Sequence, residues 1–209
     1  MTTRRSGAIA RARKKGGLKF LYRWTWITLL ILPVIWKWVA LRTSTAQRRE
    51  AFGWHRGRGF IREVGAGVAG YLAGMPVIAV GFFVTIILIR YTGTATGSPI
   101  MQELDGGPWE LVGLYGVACV FAPVMEETMF RGALFHHLRQ RWRWTLSAPI
   151  VSFIFAMLHP QGWVAVPALG AIAIVLAALR EWRGSLIAPV AAHACNNFLA
   201  LTLALLLLK

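Results

Sequence analysis

FAPVMEETMFRGALF, residues 121–135, decides how this chain is read. The stretch is among the most apolar in the protein, yet it holds Glu126 and Glu127 side by side. The whole chain has only eight acidic residues, so two in one apolar run call for a reason. Ionisable groups inside membrane-length segments are functional candidates, because lipid offers them no solvation. Later apolar segments carry polar residues in the same way: His159 in FIFAMLHP, then His193 and Asn197 in APVAAHACNNFLAL. A glutamate, two histidines and an asparagine are the parts needed to activate a water and hold an oxyanion.

Composition sets the class. Of 209 residues, 56% are hydrophobic and 15% charged, and the mean hydropathy is +0.55. A soluble domain averages about a quarter charged residues. Several apolar runs reach the roughly 20 residues that cross a bilayer. The expected fold is all-α, a polytopic transmembrane helical bundle of about five to six membrane segments. The net charge is +15. The basic residues cluster at the ends of apolar segments, which fits anionic lipid headgroups and topology signals rather than nucleic acid. Cys119 and Cys195 lie in apolar helical runs without CxxC spacing and are read as small core residues.

Residues 1–19 are basic, with Arg4, Arg5, Arg11, Arg13, Lys14, Lys15 and Lys19. The apolar run after them leads into Trp-Lys-Trp rather than an A-x-A-like site, so no cleavable signal peptide is expected. That run, about 24–39, is broken by Pro33 and carries Lys37. It is read as interfacial or re-entrant, with a true span as the alternative. A basic loop over 40–63 follows. Clear spans are expected over Val64–Ile89, from Pro108 through Glu127, and over Trp144–Leu158, Trp163–Leu179 and Ser185–Leu208. RGALFHHLRQRWRW, starting at Arg131, reads as amphipathic and interfacial. His136 and His137 fall in it as surface residues, and His55 is unassigned. With the basic loops on the cytoplasmic side, five spans alternate consistently.

On a helix, Arg131 lies four residues after Glu127, so the two share a face and can pair. Glu126 points about 100° away and is left for a cavity. The alternative is an ion-paired cluster at a helix end in the headgroup zone. His193 and Asn197 are also four apart, and interhelical hydrogen bonding is the competing reading for them. Asn196 points elsewhere and is suited to bridging helices. His159 lies about 15 residues from the cytoplasmic end of its span and His193 about 8, a depth mismatch of about 10 Å.

EETMFRG has the form EExxxR, FAMLH (Phe155–His159) the form FxxxH, and HACNN (His193–Asn197) the form HxxxN. In this order on successive apolar segments, they resemble the CPBP family (CAAX-protease and bacteriocin-processing, or Abi) of intramembrane endopeptidases. The resemblance covers about residues 108–200 and implies an all-helical fold with a cavity inside the membrane. Charge and hydropathy divide the rest of the chain into a basic N-terminal region with a short apolar segment (1–63) and a span with an external loop (64–107), ahead of a protease-like membrane core (108–209). The resemblance implies that Glu126 activates the attacking water with help from His159, and that His193 and Asn197 steady the oxyanion. Glu127 is counted with this catalytic group and, with Arg131 as structural support, would hold the site's shape.

Glu126, His159 and His193 could form a His₂Glu set for zinc. HExxH is absent, however, and an amide at Asn197 suits an oxyanion hole at least as well. The expectation is therefore a metal-free enzyme with no cofactor, a divalent metal such as zinc being the alternative. The expected partners are membrane lipids and a membrane-associated peptide or protein substrate, in a bacterial inner membrane. The rival readings are a non-enzymatic bacteriocin-immunity or peptide-binding protein and, behind it, a proton-coupled transporter. Transporters often show inverted repeats, and none is found here.

Overall fold

The computed structural model describes residues 45–94 and 107–208. The basic N-terminus, the 24–39 run and most of the acidic loop lie outside the described residues. Helix α1 is Thr45–Phe52 and α2 is Phe60–Thr92. Helix α3 runs unbroken over Pro108–Arg139. Helix α4 is Trp144–Met157, α5 is Val166–Arg183 and α6 is Ile187–Leu208. Among the described residues, four helices are long and apolar enough to cross a membrane, and α4 is a shorter apolar helix. The protein is a multi-pass helical bundle.

Helix α5 is the centre. One side packs against α2 and the other against α4. Its small and branched residues fit this enclosure: Ala173, Leu176 and Ala177 are fully buried. One core cluster joins Tyr71 and Ile78 of α2, Ile172, Val175, Leu176 and Leu179 of α5, and Ala192 of α6. A second joins Phe130 and Phe135 of α3, Val151 and Phe155 of α4, and Ala173 and Ala177 of α5. The outer faces stay apolar, with Phe83 on α2, Val120 on α3 and Leu206 on α6 all exposed. That is the pattern of a protein solvated by lipid.

Two local features set the helix register. Gly67 of α2 lies against the main chain of α6, where an added Cβ would collide with Ala188 O. In α3 the Pro123 ring would clash with the carbonyl four residues back. The helix answers by widening into a π segment at Val117–Phe121, where Ala122 N–H bonds to Val117 O. A second π segment covers Thr128–Phe135.

The stretch beginning at Arg131 corrects the sequence expectation. It is not interfacial at its start. Arg131, Gly132 and Phe135 are buried, and α3 continues to Arg139 before turning. The apolar residues there alternate with basic ones, but the first turns are enclosed by α1, α4 and α5. His136 and His137 are half-buried rather than on the surface. The described part of the expected 40–63 loop, from Thr45 on, holds a helix and long-range contacts. After α1, Leu186 N–H bonds to Gly53 O at 2.8 Å, and Ser185 Oγ donates to His55 O at 2.8 Å. Trp54 Nε1 donates to Thr128 Oγ1 at 3.1 Å. The start of α6 thus lies inside the protein, with Ser185 and Leu186 fully buried.

Ion pairs tie the basic end together. Glu63, fully buried, accepts from Arg183 Nε at 2.9 Å and from Nη2 at 2.6 Å. Arg139 makes a bidentate pair with Glu181 at 3.0 and 2.7 Å. These contacts hold the start of α2 and the ends of α3 and α5 at one level.

Candidate active site

Glu127 and Arg131 are both fully buried, and Arg131 Nη1 donates to Glu127 Oε1 at 2.8 Å. Arg131 Nη2 donates to Ala173 O of α5 at 2.9 Å. The same Glu127 oxygen accepts from His193 Nδ1 at 2.9 Å. A carboxylate only accepts here, so Nδ1 carries the proton and Nε2 faces the other way. Glu127 therefore joins α3 to α6 and sets the orientation of the His193 ring.

Glu126 faces elsewhere, as the 100° step between neighbours on a helix requires. Its Oε2 lies 3.7 Å from His193 Nε2 and 3.8 Å from His159 Nε2. Both separations are too long for direct hydrogen bonds. Glu126 Oε2 is buried and has no hydrogen-bond partner among the described residues. The Glu126 side chain as a whole keeps 28% exposure while Glu127 has none, so of the two it is Glu126 that a substrate can reach.

His159 lies just past α4. Its Nδ1 donates to Phe155 O at 2.7 Å, which turns Nε2 toward Glu126. The ring folds back over the last helical turn and packs on Phe155, with centroids 4.2 Å apart. Phe155 also meets Phe130 edge-on at 5.0 Å and His193 at 5.8 Å, and the Arg131 guanidinium lies 4.8 Å from its centroid. The spacing in FxxxH thus places an aromatic wall one turn below the histidine. The motif marks Phe155, but nothing in the sequence marks it as a wall.

The expected depth mismatch is absorbed in two ways. The His159 ring reaches back one turn. Helix α6 begins inside the protein, beneath the Gly53–His55 segment.

Asn197 Nδ2 donates to Ala118 O at 2.8 Å. This carbonyl lies in the first π segment, where Ala122 N–H has moved to Val117 O. The widened turn exposes a main-chain acceptor, and α6 uses it. Asn196 bridges helices: Tyr71 OH donates to its Oδ1 at 3.3 Å, and its Nδ2 donates to Asn197 Oδ1 at 3.1 Å. Sequence reasoning missed Tyr71, because one tyrosine in an apolar helix carries no signal apart from packing.

The structure thus brings Glu126, Glu127, His159 and His193 into direct proximity around Arg131 and Phe155, and it holds Asn197 against the neighbouring turn of α3. Two imidazole Nε2 atoms and one carboxylate oxygen face one another. Their chemistry is that of a general-base centre and also of a metal ligand set. Among the described residues no group of three His, Cys, Asp or Glu is arranged to hold a metal ion.

Fold and site together define a multi-pass membrane protein with a polar centre built between its helices. Residues 108–199 match the family described as Rce1-like, type II CAAX prenyl endopeptidase Rce1-like. All three motifs lie in that segment, and the resemblance to the CPBP family holds there. An Escherichia coli protein described as "Uncharacterized 24.3 kDa protein" is 30% identical over 141 residues. The alignment covers 65% of this chain and 62% of that relative, so the chain spans less than two thirds of the relative's length. No solved structure matches.

Proposed function

We propose that the protein is an intramembrane endopeptidase of the bacterial inner membrane. It hydrolyses a peptide bond in a membrane-associated or lipid-anchored substrate. One observation carries the reading: Glu126 Oε2 faces Nε2 of both His159 and His193 at 3.7–3.8 Å. A water capping these three atoms from one side would reach each at hydrogen-bond distance. Glu126 takes its proton as the oxygen attacks the scissile carbonyl carbon, with His159 holding the water in line. The carbonyl oxygen becomes an oxyanion, which accepts hydrogen bonds from the Asn197 amide and from Nε2–H of a doubly protonated His193, whose Nδ1–H stays on Glu127. The tetrahedral intermediate then collapses. The C–N bond breaks, and the proton held by Glu126 passes to the leaving amine. Glu127 and Arg131 keep the His193 ring in place throughout. No step calls for a metal; if one were bound, Glu126, His159 and His193 would hold it, and it would polarise the water.

The test compares membranes carrying wild-type protein or Glu126→Gln by mapping N-termini of membrane proteins. Glu126→Gln removes the base and keeps the shape. A set of N-termini present with wild type and absent with the variant is the expected result. Identical sets, with equal amounts of folded protein, would remove Glu126 as the base. Processing of those substrates is expected to survive 1,10-phenanthroline. Loss on chelation, restored by zinc, would replace the metal-free scheme.

A further inference from the structure

The π segment and α6 leave one question about Asn197. An oxyanion donor must present N–H, yet an amide can flip and present its oxygen instead. The contacts around Asn197 decide between the two. Its Nδ2 donates to Ala118 O at 2.8 Å, and its Oδ1 accepts from Asn196 Nδ2 at 3.1 Å. Asn196 Oδ1 in turn accepts from Tyr71 OH at 3.3 Å. The chain runs in one direction. A hydroxyl donates to an amide oxygen, that amide donates to the next, and the second donates to a main-chain carbonyl. Flipping Asn197 alone would set oxygen against the Ala118 carbonyl and NH₂ against NH₂. Flipping Asn196 and Asn197 together would lose the Tyr71 donor and still oppose two oxygens at Ala118.

Helix packing puts Tyr71 where this requires it. Gly67 and Tyr71 are one turn apart on α2, and Ala188, Ala192 and Asn196 are successive turns on one stripe of α6. The close approach of Gly67 to Ala188 brings these stripes together. Tyr71 is 5% exposed and shares a core cluster with Ala192. The adjacent stripe of α6, with Pro189, His193 and Asn197, faces α3. One helix therefore reads α2 on one stripe and serves the site on the next.

We propose that Tyr71 and Asn196 are positioning residues that fix the Asn197 amide, so that its second Nδ2–H serves the oxyanion. This rests on the role given to Asn197 above. It extends the working site to α2, outside the segment 108–199 that matches the family.

The experiment uses the full chain in membranes and reads the initial rate of formation of the Glu126-dependent N-termini. Tyr71→Phe keeps the ring and removes the donor. It is expected to lower the rate about threefold to tenfold, the range for one hydrogen bond lost. Asn196→Ala is expected to lower the rate at least as much. In an Asn197→Ala background, Tyr71→Phe is expected to add nothing, because its effect passes through Asn197. An equal further loss there would mark a structural role and overturn the proposal. So would a rate unchanged by Tyr71→Phe while Asn197→Ala lowers it. If Asn197→Ala itself leaves the rate unchanged, the oxyanion reading fails and takes this inference with it. Thermal unfolding in detergent supplies a readout that needs no substrate. The effects of Tyr71→Phe and Asn197→Ala should be non-additive, and additive again once Asn196 is alanine. Additivity with Asn196 present would overturn the chain.

Discussion

Glu126 and Glu127 are neighbours with different surroundings. Glu127 is enclosed by Arg131 and His193, while Glu126 keeps a buried oxygen turned toward two imidazoles. Loss of a positioned general base costs about 10²–10⁴ in rate. Glu126→Gln is therefore expected to abolish measurable processing while leaving the thermal midpoint in detergent close to wild type. Arg131→Ala should do the reverse in kind. It strands the Glu127 carboxylate, and breaking a buried pair in this way costs about 3–5 kcal/mol. A large fall in the unfolding midpoint and in folded yield is the expected outcome; a stable Arg131→Ala protein would contradict the enclosure described. The difference between the two carboxylates was legible in the sequence. Arg131 at four residues fixes the face of Glu127, and the helix period turns Glu126 away. The bond from Glu127 to His193 was not legible, because it spans 66 residues and two helices. The Glu63–Arg183 pair spans 120 and was equally hidden. Single basic and acidic residues at helix ends look like ordinary headgroup-zone charges.

The helices themselves are legible largely from apolar length. Pro108 opens α3, and Gly93 and Gly184 close α2 and α5 in left-handed conformation. What the pattern could not convey was the widening of α3. A π segment has no hydropathy signature, and Pro123 only hints at it. Nor could it convey that the start of α6 is enclosed, since Ser185 and Leu186 look like any helix entrance. The α2–α6 contact gives a prediction at this scale. Gly67→Val places two methyl groups where Ala188 O already lies, and overpacking of this kind costs about 1–3 kcal/mol. Its unfolding midpoint should fall. Processing should fall further than the loss of folded protein explains, because the register of α6 sets both His193 and Asn197. Gly65→Val, two residues away on the opposite side of the helix and facing open space, is the control and should behave like wild type.

Taken as a molecule, the bundle has one strongly basic end. Arg58, Arg139, Arg141, Arg143 and Arg183 gather there with Glu63 and Glu181. The other end holds Thr94 and the turn after His159. The expected orientation places the basic end in the cytoplasm. In a background with Cys119→Ser and Cys195→Ser, a cysteine at Thr94 should react with an impermeant maleimide in spheroplasts. One at Arg141 should react only after lysis. Labelling at Arg141 alone would invert the molecule. Among the polar contacts at the centre, three end on main-chain oxygens: those of Ala118, Phe155 and Ala173. Side-chain scanning cannot see these acceptors, since every amino acid brings the same carbonyl. A survey of point mutants would thus return a shorter parts inventory than the one in use. The missing parts would surface only when the peptide linkage itself is changed, by ester substitution at these bonds or by shifting a helix one residue out of phase.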